Sequence, residues 1–355
     1  MLTKHHELPG RERRRLAAAV ERDAPGVTYV FVRGDGAVGS FAGGRADAAS
    51  NAPIDPGEPM PIYSMTKAIT ALATLEWLER RGVGLDGDVR ELVPSFPYRA
   101  HRVRVGDLLA HTAGLGNPMP LGWVHSPEAH PGFDEGAARA KASAHRARPP
   151  GIRYSYSNLG YWWLGAVLEA LAGQSFERVL EDLGLVGDSA GVVTTYPAGA
   201  RCMGHVRRFG MLRLAGALVT PRWVWAGSVG RWARIHRHYV DGLAYGGLLG
   251  TAAGLAPFLE RLLAVVRGAA GEPMRRAVCE AWKLADGRRV PMTAALHIGA
   301  LGPHLSLFKE GGGAGFHSEL RIYPERNAGS AMIANASEID VKRLMDDVDI
   351  MLVAD

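Results

Sequence analysis

Residues 63–82 read YSMTKAITALATLEWLERRG, a periodic apolar run with a serine and a lysine at its head. Ala68, Ile69, Leu72, Leu75 and Leu78 recur at three- and four-residue intervals, which predicts a helix with one apolar face, stopped by Gly82 and Gly84. Ser64 and Lys67 stand three apart at its start, so a helix sets hydroxyl and amine on one face, where the N-terminal dipole favours developing negative charge. A hydroxyl within reach of an amine can be an activated nucleophile. An N-cap serine followed by a solvated lysine accounts for the same residues without chemistry. The spacing recurs at Ser306 and Lys309, but in a strand-like stretch, where residues three apart point to opposite faces and should not meet.

Around this run, residues 10–24 have the pattern of an amphipathic helix, and GVTYVFVRGDGAVGSFAG (26–43) that of a hairpin turning at Gly34-Asp35-Gly36. Further helices fit VGDLLAHTAGL (105–115) and SNLGYWWLGAVLEALAG (157–173), with loops at 117–120 and at Pro149-Pro150-Gly151. Four strands fit PMTAALHIGA, SLFKEGG, FHSELRIYP and AGSAMIANAS between 291 and 337, before a last helix over 339–353. Strands at both ends and helices between predict an α+β fold: one antiparallel sheet formed from both chain ends, flanked by helices, with a mostly helical insertion. The expected division is 1–80 with 245–355 as the sheet domain and 81–244 as the helical one, the latter carrying an Arg-rich, cleft-covering insertion at about 195–240.

The composition is that of a globular protein: 355 residues, 47% hydrophobic and 22% charged, which excludes disorder and fibrous classes. No run approaches about 18 consecutive apolar residues, and the first 24 residues contain no apolar core of a leader peptide, so a cytoplasmic protein without stable membrane insertion is expected. Cys202 and Cys279 are too few for a disulfide framework or a metal cluster, and the 13 histidines show no ligand spacing; no metal and no cofactor is expected. The net charge of +5 is local, because Arg201, Arg207, Arg208, Arg213, Arg222, Arg231, Arg234 and Arg237 fall between Asp188 and Asp241 with no acidic residue among them. Trp223, Trp225, Trp232 and Tyr239 interleave with these arginines, which suits a nucleic acid or a membrane surface, or else an insertion with a solvated face. The last is preferred and no nucleic-acid partner is expected. A role in holding a remote anionic group of the substrate is the functional alternative.

Two further clusters carry polar groups suited to a cleft. Tyr156-Ser157-Asn158 precedes a helix, and Lys309-Glu310-Gly311-Gly312-Gly313 ends a late strand, where missing side chains permit close backbone approach. In order and context, Ser64 with Lys67, Tyr156 with Asn158, and Lys-x-Gly resemble the three motifs of the serine β-lactamase and penicillin-binding superfamily, nearest its class C β-lactamase and esterase-like branch. The likeness extends to LLAHTAGL, YGGLLGTAAGLAPFLERLL and GGGAGFHSELRIYPE, from about residue 60 to about residue 325.

The resemblance implies a serine acyl-transfer enzyme with an acyl-enzyme on Ser64, and Lys67 and Tyr156 sharing the base role. The backbone N–H groups of Ser64 and Gly312 would form the oxyanion hole, and Asn158, Lys309, Glu310 and Gly311 would bind substrate. An amine or phenol of ordinary pKa near 10 must be depressed to serve as a base; burial and Lys309 should do so for Lys67, and nearby cations for Tyr156. Glu310 departs from the family pattern of Thr or Ser and should repel a carboxylate substrate and partly neutralise Lys309. The expected substrate is therefore an ester or amide of a small metabolite, with an amine or alcohol as a possible acceptor. A β-lactamase or D-Ala-D-Ala peptidase, and a catalytically silent binding module of the same fold, are the alternatives.

Overall fold

The structure, a computed structural model, describes residues 4–5, 7–117, 123–143 and 147–354; beyond Asn117, the loop expected at 117–120 lies outside them. Helix α1 (Gly10–Arg22) leads into strands β1 (Gly26–Arg33) and β2 (Ala37–Gly44). The apolar run GVTYVFVR of β1 is buried except at Arg33, as a strand covered on both faces requires. Val27, Tyr29 and Phe31 pack with Leu16 of α1, while Val30 and Val32 face the larger core that holds Ile69 and Leu72.

Helix α2 (Thr66–Arg81) follows a 3₁₀ turn at Tyr63–Met65 and is almost wholly buried up to Leu75. It ends at Gly82, whose φ of 62° is the left-handed cap expected there. Helix α3 (Val105–Leu109) is shorter than the 105–115 pattern suggested. The Asp107 carboxylate accepts from both the Arg104 N–H and the Thr112 hydroxyl, folding the chain back after one turn, and His111 takes a φ of 56°. Helix α4 (Asn158–Ala172) is capped by Ser157, whose Oγ accepts from Gly160 N at 3.0 Å, and the Asn158 amide is left for other partners.

In the Arg-rich segment, β3 (Gly204–Arg207) precedes helix α5 (Met211–Val219), and β4 (Trp225–Val229) and β5 (Trp232–Ile235) complete a small sheet of order β3-β5-β4. These strands are only four or five residues long, too short for alternation to show in the sequence. Helices α6 (Ala256–Val266) and α7 (Gly271–Cys279) come next, then β6 (His297–Leu301), β7 (His304–Gly313), β8 (Phe316–Tyr323), β9 (Ala328–Ala334) and the C-terminal helix α8 (Val341–Val353).

The main sheet has the order (Lys4–His5)-β2-β1-β9-β8-β7-β6 and is antiparallel from β2 onward. Pairing of Val30 with Ala331 and of Phe31 with Ser330 joins the two chain ends, as expected. Helices α1 and α8 cover one face; α6 packs on the other.

A Cβ at Gly82 would meet no atom within 4 Å, so Gly82→Ala isolates backbone strain from crowding. It is expected to lower stability by about 1–2 kcal/mol, read from urea or thermal unfolding. A neutral or stabilising effect would mean that the left-handed cap does not persist in solution.

Candidate active site

The turn before α2 is held by the edge of β7. A Cβ at Gly311 would lie 2.1 Å from Ile62 O and 3.0 Å from Met65 N, so only glycine permits this approach. Ser318 Oγ, on β8, donates to Ile62 O at 3.0 Å. Tyr63 adopts a φ of 43°, a conformation that costs a non-glycine residue about 1–3 kcal/mol. The surroundings hold it there: its hydroxyl lies 3.0 Å from both His238 Nε2 and Ala314 O, and its ring fills the space beside Gly313.

On that turn Ser64 Oγ stands 3.0 Å from Lys67 Nζ and accepts from the Tyr156 hydroxyl at 2.7 Å. Lys67 Nζ also donates to Asn158 Oδ1 at 2.8 Å and to the Tyr245 carbonyl at 2.6 Å. The structure thus brings together Ser64, Lys67, Tyr156 and Asn158, which the sequence singled out. The Tyr245 carbonyl, which no sequence motif marks, comes from a wide π-type turn at Leu243–Gly247.

Lys67 has no exposed surface, and burial first, then the like charge of Lys309, hold its pKa well below the ordinary lysine value. A neutral amine has two N–H groups and one lone pair. In that form Asn158 Oδ1 and Tyr245 O would take the two N–H groups and leave the lone pair for the Ser64 hydroxyl. Lys309 is equally buried and pushed down to about 7, again by burial, with Glu310 acting in the opposite direction.

Tyr156 corrects one expectation. Burial raises its pKa above the ordinary phenol value despite the hydrogen bond to Ser64, so the phenol keeps its proton. Lys67 and Lys309 stand 5.1 and 4.9 Å from its ring centroid, where they meet the π face. His111, also unanticipated, packs on Tyr156 with ring centroids 4.4 Å apart and is itself held well below its usual pKa by burial and then by the two lysines.

Glu310 does not face the buried side of β7 with Lys309. Strand alternation turns it outward, and its carboxylate meets His317 Nε2 at 2.7 Å, which holds it below the usual glutamate range. The cavity beside Ser64, about 160 Å³, is lined by Asn158, Tyr245, Gly312 and Gly313 together with Trp123, Val124, Val224 and Val240. None of its lining residues is an arginine. Arg234 instead forks onto Asp47, and Arg213 lies over the Trp225 ring. Ser306 pairs with Gly299 on the β6 side and is absent from the cavity wall.

Over residues 12–355 the chain matches the family model described as Beta-lactamase. The chain belongs to this family, whose members are serine hydrolases. It is similar to penicillin-binding protein 4 of Amycolatopsis lactamdurans, 27% identical over 47% of this chain and 43% of that protein. It is also similar to esterase EstB of Burkholderia gladioli, 30% identical over 46% of this chain and 45% of the esterase. These matches span less than half the length of either relative. The fold matches D-amino acid amidase from Ochrobactrum anthropi SV3 with a TM-score of 0.78 at 18% identity, covering 97% of this chain and 98% of the amidase. Among the described residues no helix is long and apolar enough to cross a membrane.

A fluorophosphonate is expected to label Ser64 and not Ser306, at a rate that rises with pH as Lys67 loses its proton. Lys309→Met removes a like charge, so the Lys67 pKa rises and this limb moves to higher pH. Peptide mapping and the pH dependence of labelling check both. Labelling that survives Ser64→Ala, or an unmoved limb, would contradict the assignment.

Proposed function

We propose that the chain is a serine acyl-transfer enzyme, an esterase, amidase or transacylase, working through an acyl-enzyme on Ser64. The observation that carries this reading is the relay at Ser64 Oγ, with the Tyr156 hydroxyl at 2.7 Å and Lys67 Nζ at 3.0 Å. Neutral Lys67 takes the serine proton as Ser64 Oγ attacks the carbonyl carbon. The carbonyl oxygen becomes an oxyanion between the backbone N–H groups of Ser64 and Gly312, donors commonly worth about 3 kcal/mol each. Collapse expels the alkoxide or amine, which leaves protonated by way of the Tyr156 hydroxyl. The Lys67 ammonium restores the phenol proton and returns to its neutral form. In the second half, water or an alcohol or amine acceptor gives its proton back along this path and takes the acyl group, freeing Ser64. Asn158 orients Lys67 and meets the acyl side of the substrate, and Gly311 keeps the β7 edge against the serine turn.

The substrate best suited to the cavity is a small neutral ester or amide. Its walls are mainly apolar, and no lysine or arginine is among the residues that line it. The outward-turned Glu310 adds negative charge at the same strand end. A catalytically silent module is disfavoured by the intact contacts of Lys67 and Tyr156 with Ser64.

Steady-state kinetics on short-chain nitrophenyl esters and on penicillins tests this reading. The kcat/KM for the ester should exceed that for penicillin by about 100-fold or more, and Ser64→Ala should remove about four orders of magnitude of ester turnover. Comparable or faster penicillin turnover would contradict the substrate assignment, and undiminished ester turnover by Ser64→Ala the nucleophile.

A further inference from the structure

A surface helix normally turns its apolar stripe inward and its polar side to water. Helix α5 does the reverse. Its protein side is formed by Arg213 and Gly216 and continues to Thr220. A Cβ at Gly216 would lie 3.0 Å from the Trp225 ring, the Arg213 guanidinium lies 4.0 Å from that ring's centroid, and Trp225 Nε1 donates to Thr220 Oγ1 at 3.0 Å. The solvent side carries Met211, Leu214 and Leu218, which are 79%, 58% and 87% exposed, and Phe209 just before the helix is 84% exposed. No described residue of α5 is buried. Several large apolar side chains gathered on one outward face mark an interaction surface rather than a scatter of single exposed residues.

Charge decides what covers it. Arg208, Arg222 and Arg231 are exposed around this face, and residues 189–240 contain eight arginines and no Asp or Glu. Glu338 reaches the start of α5, where it accepts the Arg207 backbone N–H at 3.0 Å. A second copy docking by the same face would set one arginine-rimmed surface against its equal, since a two-fold contact pairs each patch with itself. An anionic lipid surface meets both parts of the patch: the leucines, Met211 and Phe209 enter the headgroup and acyl boundary while the arginines meet phosphates. The segment that follows α5 runs directly to the candidate site, where Thr220 and Val224 line the cavity beside Ser64.

We propose that α5, with Phe209 and the surrounding arginines, is a peripheral docking surface for an anionic lipid bilayer, set beside the cavity that holds Ser64. The helix lies in the interface plane and does not span the bilayer. Docking there would bring lipid-borne acyl compounds to the cavity mouth. The surface itself is read by binding, so its test is separate from that of the acyl-transfer reaction.

The test sediments the full chain with large unilamellar vesicles of phosphatidylcholine, with and without phosphatidylglycerol, at low salt. Wild type is expected to sediment with the phosphatidylglycerol vesicles and to be released by high salt. Leu214→Ser with Leu218→Ser should weaken this binding about 10-fold or more, and Arg208→Gln with Arg222→Gln should weaken it as well, with melting transitions unchanged because these side chains are exposed. Absence of wild-type binding to the anionic vesicles, or binding that the leucine variant retains, overturns the proposal. So does a sedimentation-velocity dimer that the leucine variant dissolves, which would make a second copy the occupant.

Discussion

Two lysine side chains with no exposed surface, Lys67 from α2 and Lys309 from β7, flank the Tyr156 ring, and the polar groups of the site are arranged around that pair. Two buried ammonium groups close together would each cost several kcal/mol unless protons were given up. Both pKa values are pushed down accordingly, Lys309 to about 7. The same burial acts on Tyr156 with the opposite consequence, because the charged form of a phenol is the deprotonated one. Burial therefore separates the two groups that the family resemblance paired as bases: it favours the neutral, proton-accepting amine and the protonated, donating phenol. Ser64 Oγ lies between them, 2.7 Å from the phenol oxygen and 3.0 Å from the amine nitrogen.

This arrangement requires β7 to lie against the turn before α2, and the glycines at its end make that possible. Gly311 allows the strand to touch the backbone at Ile62 and Met65, and Gly313 makes room for the Tyr63 ring. The strained Tyr63 and the contact of its hydroxyl with His238 then link the serine turn to the Arg-rich segment. Three arginines of that segment serve other parts of the molecule. Arg234 holds Asp47 on the β2 side, Arg207 and Arg213 lie against tryptophans, and Thr220, Val224 and His238 are what the segment gives to the cavity wall.

How far the sequence revealed this depended on the range over which each signal acts. The apolar run of β1 and the periodic face of α2 are local patterns set by burial, and they reported sheet and helix directly. The three-residue spacing of Ser64 and Lys67 is likewise local, and at the start of a helix it does bring the two side chains together. The same spacing at Ser306 and Lys309, on an extended strand, does not. What stayed hidden depends on contacts between distant segments: the Tyr245 carbonyl on Lys67, His238 against Tyr63, and Glu310 turned to His317 across two strands. The truncation of α3 was missed because Asp107 accepts at both ends of a single turn, which apolar periodicity does not register. The strands around Arg207 and Arg234 are four residues long and buried at three of the four positions, so they present no alternation to read. The inverted face of α5 has a sequence pattern with clear helical period, but periodicity alone does not say which side meets the protein.

The state of Lys67 is the most direct point at which to test the account. With six lysines in the chain, a protein labelled with ¹³C at lysine Cε gives a spectrum simple enough to assign by single Lys→Met variants. The Lys67 resonance is expected to titrate well below the ordinary lysine value, and to move up toward it in the Lys309→Met variant. A Lys67 that titrates near about 10.4, like a solvated lysine, would contradict the claim that the resting site holds a neutral amine facing Ser64.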